Sequence, residues 1–293
     1  MSPIHETEQA QPQYRRLLRD PLILLGLVII VRFVLEAAGA PLDTTRFLSV
    51  SVTYALAEIY VGAVAPLCGV TTLKQLALPA FVLSAWLGGW TALSLVVSGV
   101  LQLPGSHFAH TPGPGILLYP NLWFHIVEHI AVIPIGALPT LGVMSIPYFL
   151  HRWPVTVAPA AVLGGLVTLR FAAEAMNLAP TTAAAWSSSV GLLLSALYLG
   201  GIGPRMGVLT PRQLLAPALV LGWVWRLWIF LAALVSALMG YETHFFDPSQ
   251  GRGAFRLVEL LGRDVVVVGF AGGLLVWGIA LCVSRATRPL AEA

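Results

Sequence analysis

Charged side chains are scarce in this chain of 293 residues: 10% are charged and 57% are hydrophobic. No basic tract interleaved with aromatics is present, so nothing points to nucleic acid as a partner. Cysteine is scarcer still. Two thiols, Cys68 and Cys282, cannot build a disulfide framework, and the topology derived below sets both near the cytoplasmic face, where thiols stay reduced. The G-x-S-x-G elbow, the H-E-x-x-H pair and the phosphate-binding loop are all missing. No small-residue cleavage pattern follows the first apolar run, so no cleaved signal peptide is expected.

Long apolar runs fill the space that these absences leave. Mean hydropathy is +0.84. Apolar segments fall at about 21–40, 44–66, 76–103, 121–150, 155–178, 183–203, 213–240 and 254–283, each long enough to cross a bilayer. They are continuous and do not alternate as barrel strands do. The expected fold is therefore all-α, a polytopic integral membrane protein of eight transmembrane helices, with the lipid bilayer as its first partner. Alternate loops and tails carry Arg15, Arg16, Arg19, Lys74, Arg152, Arg205, Arg212, Arg285 and Arg288. The others hold Arg46, Arg252 and Arg256. Positive charge is retained inside, which predicts cytoplasmic termini and the plasma membrane as the location.

The chain also matches itself at an offset of 138 residues. "RFVLEAAGA" at 32–40 faces "RFAAEAMNL" at 170–178. The stretch 58–83 faces 196–221, with Tyr60/Tyr198, Gly62/Gly200, Pro66/Pro204, Gly69/Gly207, Gln75/Gln213 and Pro79/Pro217 identical. This predicts two tandem four-helix repeats, 21–154 and 155–285, flanked by tails 1–20 and 286–293. An even number of spans per repeat sets both the same way up, so a site at their interface is a natural expectation. Thr72 and Thr210 are the expected N-caps of the helices that follow the two matched turns.

Ionisable residues inside apolar spans mark sites. Arg32 and Glu36 stand at i and i+4 in the first helix and recur as Arg170 and Glu174 in the fifth. They read either as anion- or proton-handling pairs or as self-neutralised structural bridges. Glu58 and Arg226 have no charged counterpart in the other repeat, where Ala196 and Gly88 stand. Their similar depth suggests a bridge between the halves; alternatively, Arg226 among Trp223, Trp225 and Trp228 receives an anion or a lipid headgroup. All six are candidate substrate-binding residues.

The outer half of the fourth span holds His125, Glu128 and His129 on one helical stripe. With His107, His110 or His244 they would make a tetrahedral site for a divalent, zinc-like metal. The H-x-x-E-H spacing resembles that of the inverted zincin metalloproteases, but over five residues only, and the protease activity is not carried over. The competing reading is a hydrated helix end, capped by Asn121, at the headgroup level. Pro134, Pro139 and Pro147 are expected to kink this helix.

Three functions fit: a permease-like protein binding a small solute or lipid-related ligand at an outward-facing polar site between the repeats; a metal-dependent enzyme at the outer leaflet; and a non-catalytic subunit. In the last, small-residue faces such as "LGGIG" and "AGGLL" would pack against a homo-oligomer or membrane-complex partner.

Overall fold

A backbone in hydrocarbon must satisfy its own hydrogen bonds, and this chain does so with helices. The computed structural model describes residues 12–45, 47–101, 103, 122–131, 133–208, 210–246 and 253–291. Among the described residues there is no strand, only an isolated antiparallel bridge between Thr243 and Phe246. Two compact units divide the chain, Met1–Tyr148 and Phe149–Ala293.

The first unit contains α1 (Tyr14–Ala37), α2 (Leu42–Thr45), α3 (Val50–Val64), α4 (Leu73–Leu101), α5 (Leu122–Ala131) and most of α6 (Ile133–Phe149). In the second are α7 (Pro154–Ala175), α8 (Pro180–Ala185), α9 (Ser188–Ile202), α10 (Pro211–Met239), α11 (Gly253–Glu259) and α12 (Gly269–Ala291). A π-helical segment, Leu260–Val268, joins α11 to α12.

Among the described residues seven helical stretches are long and apolar enough to cross a membrane: Val50–Cys68, Leu73–Leu101, Ile133–Arg152, Pro154–Ala175, Thr181–Met206, Pro211–Met239 and Phe255–Thr287. The first expected span is the one not among them. Its helix begins earlier than the apolar run, at Tyr14, and carries Arg15, Arg16, Arg19, Asp20, Arg32 and Glu36, so every 18-residue stretch of it holds at least three charges. The expected fourth helix is described as α5 and α6, on either side of residue 132, which lies outside the described residues. Pro139 and Pro147 lie inside α6.

Helix ends follow from local chemistry. After α3 a 3-10 turn, Ala65–Cys68, ends at Gly69 with φ 80°; after α9 the turn Gly203–Met206 ends at Gly207, also φ 80°. Only glycine takes this left-handed conformation without strain. Thr72 accepts from the Gln75 N–H at 3.2 Å, and Thr210 forms a capping box with Gln213.

Proline inside α4 frees a carbonyl that must find a donor elsewhere. Pro79 cannot bond to Gln75 four residues back; the Tyr14 hydroxyl donates to that carbonyl instead, at 3.2 Å. This bond ties the start of α1 to α4, beside the buried Leu17, Leu18, Val61, Leu76, Leu83 and Met144 of the first unit's core.

Lipid tails are as apolar as leucine, so helices in a membrane gain little from burial and associate through close packing. In the first unit Gly62 of α3 lies directly against the Met144 carbonyl of α6. In the second, a Cβ on Gly200 of α9 would sit 2.6 Å from the Ala280 carbonyl of α12. Gly222 of α10 likewise meets Gly269 and Gly273 backbone to backbone. Both cysteines are free thiols, Cys68 buried and Cys282 exposed. Gly200→Ala should lower stability by roughly 1–3 kcal/mol through overpacking. The adjacent Gly201→Ala, with no atom within 4 Å of its new methyl, should be neutral or stabilising. Thermal unfolding in detergent checks the contrast, and equal effects of the two substitutions would contradict the contact.

Candidate functional site

Both expected Arg–Glu pairs form. Arg32 Nε donates to Glu36 Oε1 at 2.8 Å, and Arg170 Nε to Glu174 Oε1 at 2.9 Å. Each glutamate lies in the last turns of its helix, close to the negative end of the dipole, and each arginine precedes its glutamate, the weaker order for such a pair. Local helix energetics therefore do not select these residues, and the neighbouring segments supply the remainder. The Thr45 hydroxyl of α2 donates to Glu36 Oε1 at 3.0 Å, and the His244 backbone N–H donates to Glu174 Oε2 at 2.7 Å. The Glu36 side chain is fully buried, whereas Glu174 keeps 14% exposure.

His244 sits in the turn after α10, a turn closed by the Thr243–Phe246 backbone bonds and by a 2.7 Å contact between the Ser236 and Thr243 hydroxyls. Arg170 lies over the Phe245 ring, 5.9 Å from its centre. The His244 imidazole titrates below the ordinary histidine range, first because the ring is partly desolvated and then because Arg170 is near, with Glu174 opposing both.

Arg226 is less completely satisfied. Its ion-pair partner among the described residues is Asp264 on the π-helical segment, 3.9 Å from Nη1. The guanidinium stacks on Trp225, 4.0 Å from the ring centre. Its Nε is buried with no hydrogen-bond acceptor among the described residues, and so is the Trp225 indole N–H. Two neighbouring buried donors without acceptors are unusual, since each such group costs about 1–3 kcal/mol. The π-helix is what brings Asp264 to this place: the Gly269 N–H bonds back to the Asp264 carbonyl five residues earlier, a widened turn that such helices often place at sites. On the α11 side of that turn, Glu259 accepts from Arg256 at 2.9 Å and from Arg263 at 3.3 Å.

Glu58 lies inside the first unit, 6% exposed. One helical turn earlier on the same face, the Tyr54 hydroxyl lies 2.8 Å from Ser84 Oγ and 2.6 Å from Thr140 Oγ1. Within this unit Glu58 has no ion-pair partner among the described residues. Glu58, Arg226 and the charge of Asp264 were visible in the sequence, but Tyr54, Ser84 and Thr140 were not singled out. The only signal of those three in the sequence was polarity at apolar depth.

His107 and His110 lie outside the described residues, as do the side chains of His125 and Glu128. His129 is half-buried in the last turn of α5. Among the described residues no three metal-ligating side chains converge.

For His244, a charged form disfavoured by the fold means that its contribution to stability is complete above about pH 6.5, the unfolded value, and is lost as pH falls below it. An NMR titration of the purified protein should place the His244 midpoint below about 6.5, and Arg170→Gln should raise it. A midpoint at or above that value, or one indifferent to the substitution, would contradict the described surroundings. The chain matches no protein-family model, no curated protein and no solved structure.

Proposed function

We propose that the protein is a permease-like carrier that binds a small anionic solute at an outward-facing polar site, with Arg226 as the residue that receives the anion. It is a multi-pass protein of the plasma membrane with cytoplasmic termini, built as two parallel tandem repeats, 21–154 and 155–285. In this reading α1 is the eighth span: its Arg32–Glu36 pair is closed on itself, so the charges that keep the helix from the purely apolar class enter as a neutral unit.

The observation that carries the reading is the state of Arg226. An arginine in a membrane helix either pairs fully or holds a ligand. Here the counter-charge stands at 3.9 Å, and Nε and the adjacent indole N–H both lack acceptors among the described residues. A carboxylate or phosphate oxygen is the chemistry these donors fit, because guanidinium binds such anions through directed, charge-assisted bonds. The pairs Arg32–Glu36 and Arg170–Glu174 are each clasped by a neighbouring segment of their own unit. Gly200 and Gly273 make contacts within their own unit, which takes support from the reading of those small-residue faces as docking surfaces for another subunit.

The full chain reconstituted in vesicles, with radiolabelled acetate, lactate and inorganic phosphate as probes, should take up at least one of them saturably. Arg226→Gln should lower that uptake at least about tenfold, as loss of a charge-assisted bond of roughly 1.5–3 kcal/mol implies. Uptake no greater than in empty vesicles would overturn the carrier reading. Stoichiometric zinc lost in the His125→Ala/His129→Ala variant would then favour the metal-dependent enzyme.

A further inference from the structure

Helical periodicity decides which way the arginines at the start of α1 face. Leu17, Leu18, Pro21, Leu25 and Ile29 form the buried stripe of that helix. On the opposite stripe, at steps of three and four, stand Arg16, Arg19, Ile23, Leu27 and Ile30, all exposed on the unit. With α1 in the membrane, the last three meet acyl chains, and the arginines end the same stripe just before the apolar run begins.

Arg15, Arg16 and Arg19, with Gln13, line a cavity of about 430 Å3. Arg19 Nε donates to Asp20 Oδ1 at 2.7 Å, which leaves its two terminal nitrogens for another acceptor. Among the described residues this is the only ion pair that the three arginines make. Two bonds fix other segments of the first unit at this end: the Gln13 N–H donates to the Cys68 carbonyl at 2.8 Å, and the Tyr14 hydroxyl to the Gln75 carbonyl at 3.2 Å. Lys74, next to Gln75, is exposed and adds a further cation. Leu67, next to Cys68, is 84% exposed.

We infer that this end of the first unit binds an anionic phospholipid, its phosphodiester held by Arg15, Arg16 and Arg19 and an acyl chain lying along Ile23, Leu27 and Ile30. Guanidinium fits phosphate oxygens through directed, charge-assisted bonds. Among the described residues of this end, Asp20 is the only acid against three arginines and Lys74, a balance that selects a lipid with net negative charge over a zwitterionic one. Two features favour a lipid over a free phosphate. The arginine stripe runs without a break into the apolar one, and lipid covers Leu67, which a soluble ligand leaves in water. The arginines are not what starts such a helix: at the 138-residue offset Pro21 falls on Pro159, but Arg15, Arg16 and Arg19 fall on Trp153, Pro154 and Val157. The site takes from the function proposed above only that α1 is a span, and nothing from the carrier reading.

Photolabelling of the full chain in phosphatidylcholine nanodiscs tests this, with phosphatidylglycerol and phosphatidylcholine probes that carry a diazirine midway along one acyl chain. The phosphatidylglycerol probe should label α1 around Ile23, Leu27 and Ile30 at least about tenfold more than the phosphatidylcholine probe. Arg16→Gln/Arg19→Gln should remove that preference. Arg205→Gln/Arg212→Gln, the same loss of charge at the matched turn of the second unit, should leave it unchanged. Equal labelling by the two probes, or none on α1, would overturn the proposal and leave the arginines as topology signals. Suppression of the labelling by glycerol phosphate would overturn it too, since the ligand would then be a soluble phosphate. Should the arginine variant fail to insert, the contrast between the two probes on the wild type decides alone. The expected labelling of a protein that takes up none of the anions upholds the lipid site and overturns the carrier reading; anion uptake with equal labelling does the reverse.

Discussion

A charge carried into hydrocarbon must bring its counter-charge, its proton or its ligand with it, since nothing in the lipid replaces the water it has lost. The polar interior of this protein is organised by that constraint. Arg32 with Glu36 and Arg170 with Glu174 answer it within one helix and are finished by a hydroxyl or a backbone N–H from the adjoining segment. Glu58 is buried with no ion-pair partner among the described residues of its unit. Arg226 answers it incompletely, with Asp264 at 3.9 Å and a buried Nε that has no acceptor among the described residues.

The same constraint acts on the backbone. Pro79 takes one donor out of α4, and the Tyr14 hydroxyl meets the carbonyl left behind. Because apolar burial adds little between helices in lipid, contact at Gly62, Gly200 and Gly222 brings backbones close enough for dispersion to hold them. Packing of this kind leaves few places for polar groups. Among those that remain in the interior, Ser84 and Thr140 are in hydrogen-bond contact with each other. Polar groups at apolar depth with complete partners are scaffold, and those whose partners are incomplete or exchangeable are where chemistry can enter.

Much of this was legible in the sequence, and the part that was not shares one cause. Helical class, the apolar runs, the caps at Thr72 and Thr210 and the two Arg–Glu pairs depend on residues within a turn or two of each other. The start of α1 at Tyr14 was hidden because its first turns are charged, though Leu17 and Leu18 are buried. The Tyr54–Thr140 contact joins residues 86 apart, and the His244–Glu174 bond residues 70 apart. No local pattern encodes such meetings. Asp264 was visible as a charge, but its approach to Arg226 depends on a π-helical turn that hydropathy does not reveal.

An arginine kept for a ligand and an arginine kept for structure differ in what their removal does to stability. Unfolding of the Arg226→Met variant, with and without the anion that the wild type binds, separates them most directly. If Arg226 is kept for an anion, the variant without anion is at least as stable as the wild type, because its unsatisfied donor is gone, and added anion no longer raises its stability. A variant destabilised by about 3 kcal/mol or more, the mark of a broken buried bridge, would show that Arg226 serves Asp264 and the fold, and would contradict this account.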